Sequence, residues 1–161
     1  MITMNKRKIV SEIIEYSDLE ELNSEDRMLT HKAMNAASVA YAPYSLFRVG
    51  AAVYLENSEI ISGNNQENAV FPTGLCAERV TVFYAHSKYP DSSIRAIAVA
   101  AIQHDNFTDN PVGLCGSCRQ VLLESENRFN NDIRIIMYGR NKIIQISSVK
   151  DLLPLHFELL K

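Results

Sequence analysis

All three cysteines of this chain sit in two short motifs, Cys76-Ala77-Glu78 and Cys115-Gly116-Ser117-Cys118. Thiolates are soft ligands that favour zinc, and three protein ligands leave a fourth tetrahedral position open for water, as in a catalytic zinc site. Glu78 stands two residues from a ligand, close enough to take a proton from a water at that position and pass it to a substrate. The competing reading of Glu78 is an ordinary first-turn glutamate favoured by a helix dipole. A closed structural zinc knot would need a fourth ligand, and none of His31, His86, His104 and His156 has knot-like spacing to a cysteine.

Three thiolates on one Zn²⁺ carry a net negative charge that opposes ionisation of a bound water. Arg79 follows Glu78 and Arg119 follows Cys118. Either guanidinium can donate to the sulfurs and offset that charge, with Arg79 the preferred candidate.

The elements that position these motifs can be read from the pattern around them. Asn23-Ser24-Glu25-Asp26 predicts a helix start with Ser24 as cap, and the helix runs to about Ala42, ahead of Pro43. Arg48 to Leu55 reads as a buried strand, Glu56 to Ser58 as a turn and Glu59 to Gly63 as the hairpin partner. Helices are predicted from about Leu75 to Ser87 and from Cys115 to about Glu126, which puts Cys76 and Cys115 at helix N-termini, where the dipole favours the thiolate. Cys115 and Cys118 share one helix face at that spacing. Ile94 to Ile102 is apolar throughout, as in a strand covered on both sides. Residues 103–114 read as a polar loop, Ile133 to Tyr138 and Ile143 to Ile146 as strands, and Val149 to Leu153 and Phe157 to Leu160 as short terminal helices. Ile9, Val10, Ile13 and Ile14 fit a helix face or a strand equally well. Strands alternating with helices predict an α/β sheet with helices on both faces.

Composition bounds the function classes. The chain has 161 residues, 47% hydrophobic and 22% charged, which fits one globular domain over 1–161, with 1–23 an extension of uncertain structure. An odd cysteine count fits a disulfide framework poorly and suits a reducing compartment. No signal peptide or membrane-length apolar run is apparent, so a cytoplasmic location and no membrane partner are expected. A net charge of -3 and a pI near 5.8 disfavour tight nucleic-acid binding.

A C-x-E followed by C-x-x-C is the cysteine form of the zinc-dependent nucleobase deaminase signature. Beyond it, four blocks resemble the small homotetrameric cytidine deaminases: Ala42-Pro43-Tyr44-Ser45-Leu46-Phe47-Arg48-Val49-Gly50-Ala51-Ala52, Gly63-Asn64-Asn65-Gln66-Glu67-Asn68-Ala69, Cys76-Ala77-Glu78-Arg79 and Cys115-Gly116-Ser117-Cys118-Arg119-Gln120. Leu152-Leu153-Pro154 with Phe157 looks like the family's ending. The resemblance implies a three-layer α/β/α sandwich around a mixed five-stranded sheet, one zinc per subunit, a homotetramer with sites completed by neighbouring subunits, and a role in pyrimidine salvage. It implies Cys76, Cys115 and Cys118 as zinc ligands and Glu78 as the proton shuttle. By the same likeness Phe47 stacks on the pyrimidine, Asn65 and Glu67 hold the ribose, the Ala77 N–H holds the base O2, and Phe157 closes a neighbouring site. The implied activity is hydrolytic deamination of free cytidine and 2′-deoxycytidine, with no nucleic-acid partner. Glu67 would repel a 3′-phosphate.

The alternatives are a related aminopyrimidine or blasticidin-S-type deaminase, against which the Asn65–Glu67 ribose block argues, and a non-catalytic zinc-stabilised interaction module. Nucleic-acid editing is opposed by the acidic charge and Glu67. Two positions depart from the family. Leu114, preceded by Gly113, stands where relatives carry proline, which predicts a looser loop before Cys115; Phe71 stands where a tyrosine is common.

Overall fold

The computed structural model describes residues 4–158. Its centre is β4 (Ile94–Gln103), buried on both faces along nearly all its length. Residues Ile97 and Val99 point to one side and Ala96, Ala98 and Ala100 to the other, as a strand's two-residue period requires. β2 (Arg48–Leu55) lies antiparallel to β4 on one side and to β3 (Ile60–Asn64) on its other side. Across β4, β6 (Arg134–Tyr138) runs parallel, and β7 (Ile143–Ile146) pairs antiparallel with β6. This parallel pair needs a long crossover. α3 (Gly116–Phe129) supplies it.

α3 packs on the same sheet face as α2 (Ala77–Lys88), over a core of Val53, Leu55, Ile97, Val99 and Ile135 met by Val82, Ala85, Leu122 and Leu123. The opposite face takes α1 (Ser24–Ser38), whose Leu29 and Ala33 meet Ala52, Ala96, Ala98 and Ile136. Alanines on both partners bring that helix close. At Gly50 a Cβ would stand 2.1 Å from the Ala33 carbonyl oxygen and 2.2 Å from the Ala37 nitrogen, so only glycine fits the crossing of β2 and α1. The outcome is the expected three-layer α/β/α sandwich with a mixed sheet.

Among the described residues the sheet has seven strands rather than five: the order β7-β6-β4-β2-β3 is extended by one strand beside β7 and a further one on β4. The five implied strands are all present. One addition is β1 (Ile14–Tyr16), which the extension lays antiparallel along β7. The other is β5 (Asn106–Phe107), which folds back on β4 through His104 and Asp105, both at positive φ (51° and 60°). That two-residue turn has the backbone twist hairpins favour. The supposed loop 103–114 therefore begins as a hairpin.

Three helix boundaries also differ from expectation. The cap of α1 is Asn23, whose Oδ1 accepts from the Asp26 N–H at 2.9 Å, while Ser24 is already helical. α1 stops at Ser38 because the next residues are drawn across to the segment after β3: Tyr41 N–H donates to Asn65 O (3.2 Å) and Glu67 N–H to Tyr41 O (2.9 Å). At the C-terminal end, Val149–Asp151 forms a single 3-10 turn. Phe157 and Glu158 are not helical, and the rest of the predicted last helix lies outside the described residues.

Candidate active site

The first turns of α2 and α3 meet at one spot. Cys76 is the N-cap of α2 and Cys115 the N-cap of α3, both in extended backbone conformation. A helix's first N–H groups have no partner within the helix, so each cysteine sits beside partial positive charge. The Cys115 Sγ accepts from the Cys118 N–H at 3.4 Å. The Cys76 and Cys115 sulfurs are 3.9 Å apart and those of Cys115 and Cys118 3.2 Å, and all three lie within 4.8 Å of one another. Sulfurs on a tetrahedral zinc at about 2.3 Å would stand roughly 3.8 Å apart; the Cys76–Cys115 separation already matches, and the Cys115–Cys118 pair would open by about 0.6 Å. Among the described residues the cluster contains these three cysteines and no histidine.

The electrostatics suit metal binding. The Cys118 thiol's hydrogen bond is the largest influence on Cys76, and with the Arg79 guanidinium it brings the Cys76 thiol down to about 5 against the opposing pull of burial. The same hydrogen bond and burial push Cys118 up, so without metal the proton stays on Cys118 and the charge on Cys76. A bound cation would displace that remaining proton. Arg79 Nη2 donates to Cys76 Sγ at 3.6 Å, the contact expected of it. Arg119 reaches no sulfur in the hydrogen-bond pattern: its Nε donates to Leu114 O (2.8 Å) and its Nη1 to Leu152 O (2.9 Å).

Glu78 is 6% exposed, in the first turn of α2. Burial is the main cause that pushes its carboxyl up, and the Cys76 thiolate adds to it; its own backbone N–H, the Cys118 thiol and Arg79 pull the other way. A carboxyl so placed holds and releases a proton more readily near neutrality than an exposed one.

Phe47, Asn65, Glu67, Cys76, Ala77, Glu78 and Cys115 all line one cavity of about 380 Å³, and Cys118 is buried behind it. The strand-to-helix order explains the convergence. Phe47 enters β2, Asn65 and Glu67 leave β3, and Ala77 and Glu78 open α2. An adjoining cavity of about 460 Å³ shares Ser45, Asn65, Glu67 and Cys76 and is bounded further by Tyr44, Phe71 and Arg79.

The polar wall is partly committed to backbone. Asn65 Oδ1 accepts from Val49 N–H (2.8 Å) and its Nδ2 donates to Phe47 O (2.9 Å), which splints the entry to β2. One lone pair and one N–H of that amide remain for a ligand. Glu67 Oε2 accepts from the N–H groups of Tyr44 (2.9 Å) and Ser45 (3.2 Å). A hydrogen bond from the Ser45 side chain is the main cause holding its carboxyl below the usual range. Ser45 was not singled out from sequence; nothing in its spacing signals that it faces a glutamate on another segment.

One further placement differs from expectation. The loop before Cys115 is anchored despite lacking proline: Leu114 is 2% exposed in the core and its carbonyl is held by Arg119. Phe157 is 69% exposed, and its carbonyl accepts from Gln120 Nε2 at 3.1 Å.

Residues 23–141 match the family model described as the cytidine and deoxycytidylate deaminase zinc-binding region. The chain is similar to a cytidine deaminase of Halalkalibacterium halodurans, 38% identical over 128 residues that cover 80% of this chain and 90% of that protein. One from Sporosarcina psychrophila is 34% identical over 137 residues, covering 85% and 89%. Among solved structures, the cytidine deaminase from Burkholderia pseudomallei superposes with a TM-score of 0.68 at 32% identity, over 84% of this chain and 100% of that one. That from Mycobacterium tuberculosis gives 0.67 at 33%, over 85% and 100%.

Proposed function

Because the chain belongs to the cytidine and deoxycytidylate deaminase family, we propose that it hydrolyses free cytidine and 2′-deoxycytidine to uridine and 2′-deoxyuridine with release of ammonia. The observation that carries this reading is the buried Glu78 carboxyl beside three convergent sulfurs, in a cavity whose polar wall is Asn65 and Glu67. Cys76, Cys115 and Cys118 would hold zinc, which when bound acts as a Lewis acid and lowers the pKa of a water in its fourth position.

The remaining roles fall to the chain's own groups. Glu78 takes a proton from the incoming water and delivers it to N3 of the base, then helps protonate the amine as the C4–N bond breaks. Water supplies the oxygen at C4 and the amine leaves as ammonia, so the atoms balance. Phe47 presents its ring to the base. Ala77, fully buried at the start of α2, offers its backbone N–H to the base O2. Asn65 and the unengaged oxygen of Glu67 meet ribose hydroxyls.

The two adjoining cavities argue for a nucleoside over a nucleotide. Among the described residues their lining contains one cationic side chain, Arg79, already committed to the Cys76 sulfur, and Glu67 would meet a 3′-phosphate with like charge. No helix among the described residues is long and apolar enough to cross a membrane. A single domain assembled as a cytoplasmic homotetramer serving pyrimidine salvage belongs to the same reading. Tyr44 and Phe71, half or more exposed beside the cavities, support burial of this surface by a neighbouring subunit.

The test is ammonia release by zinc-loaded protein from cytidine, 2′-deoxycytidine, their monophosphates and blasticidin S. Cytidine turnover is expected, with Glu78→Gln lower by about 10²–10⁴-fold. Equal rates in parent and variant would remove Glu78 from its role. Inert cytidine alongside turnover of another amine would overturn the substrate.

A further inference from the structure

Arg119 is aimed away from the sulfurs that its neighbour Cys118 helps to form. From the first turn of α3 its side chain folds back, and the two arms of the guanidinium grip two separate stretches of backbone. Nε donates to Leu114 O at 2.8 Å, and Nη1 to Leu152 O at 2.9 Å. Nη2 lies against Gly113, where an added Cβ would stand 3.7 Å from it, and Gly113 lines the substrate cavity.

The residue before Cys115 is thereby fixed twice. The Leu114 side chain is buried in the core and its carbonyl is held by Arg119. Cys115 is the most exposed of the three cysteines and its sulfur depends on that backbone for its place. Two more side chains of α3 hold the same C-terminal segment: Gln120 Nε2 donates to Phe157 O, and Glu126 Oε1 accepts from Val149 N–H at 2.9 Å. Arg119 is the one member of this set that also touches the metal-ligand turn.

We propose that Arg119 is a positioning residue for the metal centre, locking the Gly113-Leu114-Cys115 turn to the C-terminal segment so that the Cys115 sulfur stays in place on zinc. The proposal rests on the reading of the three sulfurs as a zinc site. It requires Arg specifically. A lysine would keep the charge but cannot present two N–H donors in a fixed planar fork to two carbonyls.

The experiment follows zinc release to a chromogenic chelator, below the melting temperature, from zinc-loaded parent, Arg119→Ala, Arg119→Lys and Gln120→Ala. Residues that orient metal ligands typically contribute 10–100-fold to metal affinity. Release about 10–100-fold faster is expected from Arg119→Ala, with incomplete rescue by Arg119→Lys and the parent rate from Gln120→Ala. Cobalt-substituted Arg119→Lys should also show an altered thiolate-to-metal charge-transfer band. Parent-like release and an unchanged cobalt spectrum in folded Arg119 variants would overturn the proposal, even with a lowered melting temperature. So would equal acceleration in Gln120→Ala. If Arg119→Ala does not fold, Arg119→Lys decides. Zinc release is read without substrate: a parent that binds zinc but leaves cytidine untouched would sink the proposed function and leave the role of Arg119 to be judged on release alone.

Discussion

Glu126 offers a quantitative test of how the helix that carries two of the cysteines is tied down. It is 1% exposed, and its Oε1 accepts from the N–H of Ile133 (2.8 Å) and of Val149 (2.9 Å). Ser148 Oγ lies 3.1 Å from each carboxylate oxygen and also 3.3 Å from Asp132 Oδ1. In Glu126→Ala the Ser148 hydroxyl keeps Asp132 as an acceptor, but the two backbone N–H groups lose theirs. A buried donor left unsatisfied costs about 1–3 kcal/mol, so the pair should cost roughly 2–6 kcal/mol. Glu126→Gln keeps a carbonyl oxygen at the Oε1 position and puts an amide where the Ser148 hydroxyl can rotate to accept from it. Its bonds are weaker, but a neutral amide is cheaper to bury than a carboxylate, and a net loss near 1 kcal/mol is expected. Urea unfolding at fixed pH and zinc concentration measures both, read from the midpoint at unchanged slope. A Glu126→Gln as damaging as Glu126→Ala would refute the reasoning, because the charge rather than the acceptor would then be what matters. So would a Glu126→Ala within about 0.5 kcal/mol of the parent, the range of a plain surface substitution.

Ser45→Ala should move Glu67 back toward the ordinary value near 4.3. Because the folded-state value is depressed, the contribution of the Glu67 carboxylate is present above the unfolded value and lost as pH falls through the folded one. The acid-side rise in KM for cytidine should therefore begin at higher pH in the variant, and superposable KM–pH profiles would contradict this. Gly50→Ala sets a Cβ 2.1 and 2.2 Å from two backbone atoms of α1, against an ordinary contact of 3.4–4 Å. The helix must retreat by about 1 Å, at the upper end of the 1–3 kcal/mol typical of overpacking, and a variant of parental stability would show that the crossing is not tight. Chelation should abolish turnover and lower the melting temperature, with recovery at one zinc per chain. At free zinc about 100 times Kd the stabilisation is about 2.7 kcal/mol, and a melting temperature indifferent to zinc would count against a folded-state site.

Strands were easiest to read in advance: β2 and β7 fall where the apolar runs place them, since burial on both faces leaves little room for another period. The convergence of the three sulfurs was equally plain, because few residue types bind zinc and all three cysteines lie at helix starts. What escaped depended on contacts between distant segments. Nothing near Val39 to Ala42 announces that the chain leaves α1 to pair with Asn65 and Glu67. His104-Asp105 carries no glycine or asparagine to mark a hairpin. Arg119 could be nominated by its place beside Cys118, but its partners, Leu114 O and Leu152 O, are carbonyls that any residue supplies.

The strand that the extension adds bears on solubility. Without β1, β7 would be the edge of the sheet, and its sequence Ile143-Ile144-Gln145-Ile146 is a short apolar run with unpaired N–H and C=O groups along one side. Such an edge is a template for pairing with a strand of another molecule. β1 occupies it, with Ile14 opposite Gln145, and is fastened by Lys142 Nζ to Glu15 at 2.7 Å and by Tyr16 OH to Gln145 at 3.2 Å. The outward edge then belongs to a strand of only three residues, followed by the polar Ser17 and Asp18 and too short to offer a partner a long ladder. Removing residues 1–16 would leave Cys76, Glu78, Cys115 and Cys118 in place and give the molecule a sticky side, seen as concentration-dependent aggregation that the full chain does not show.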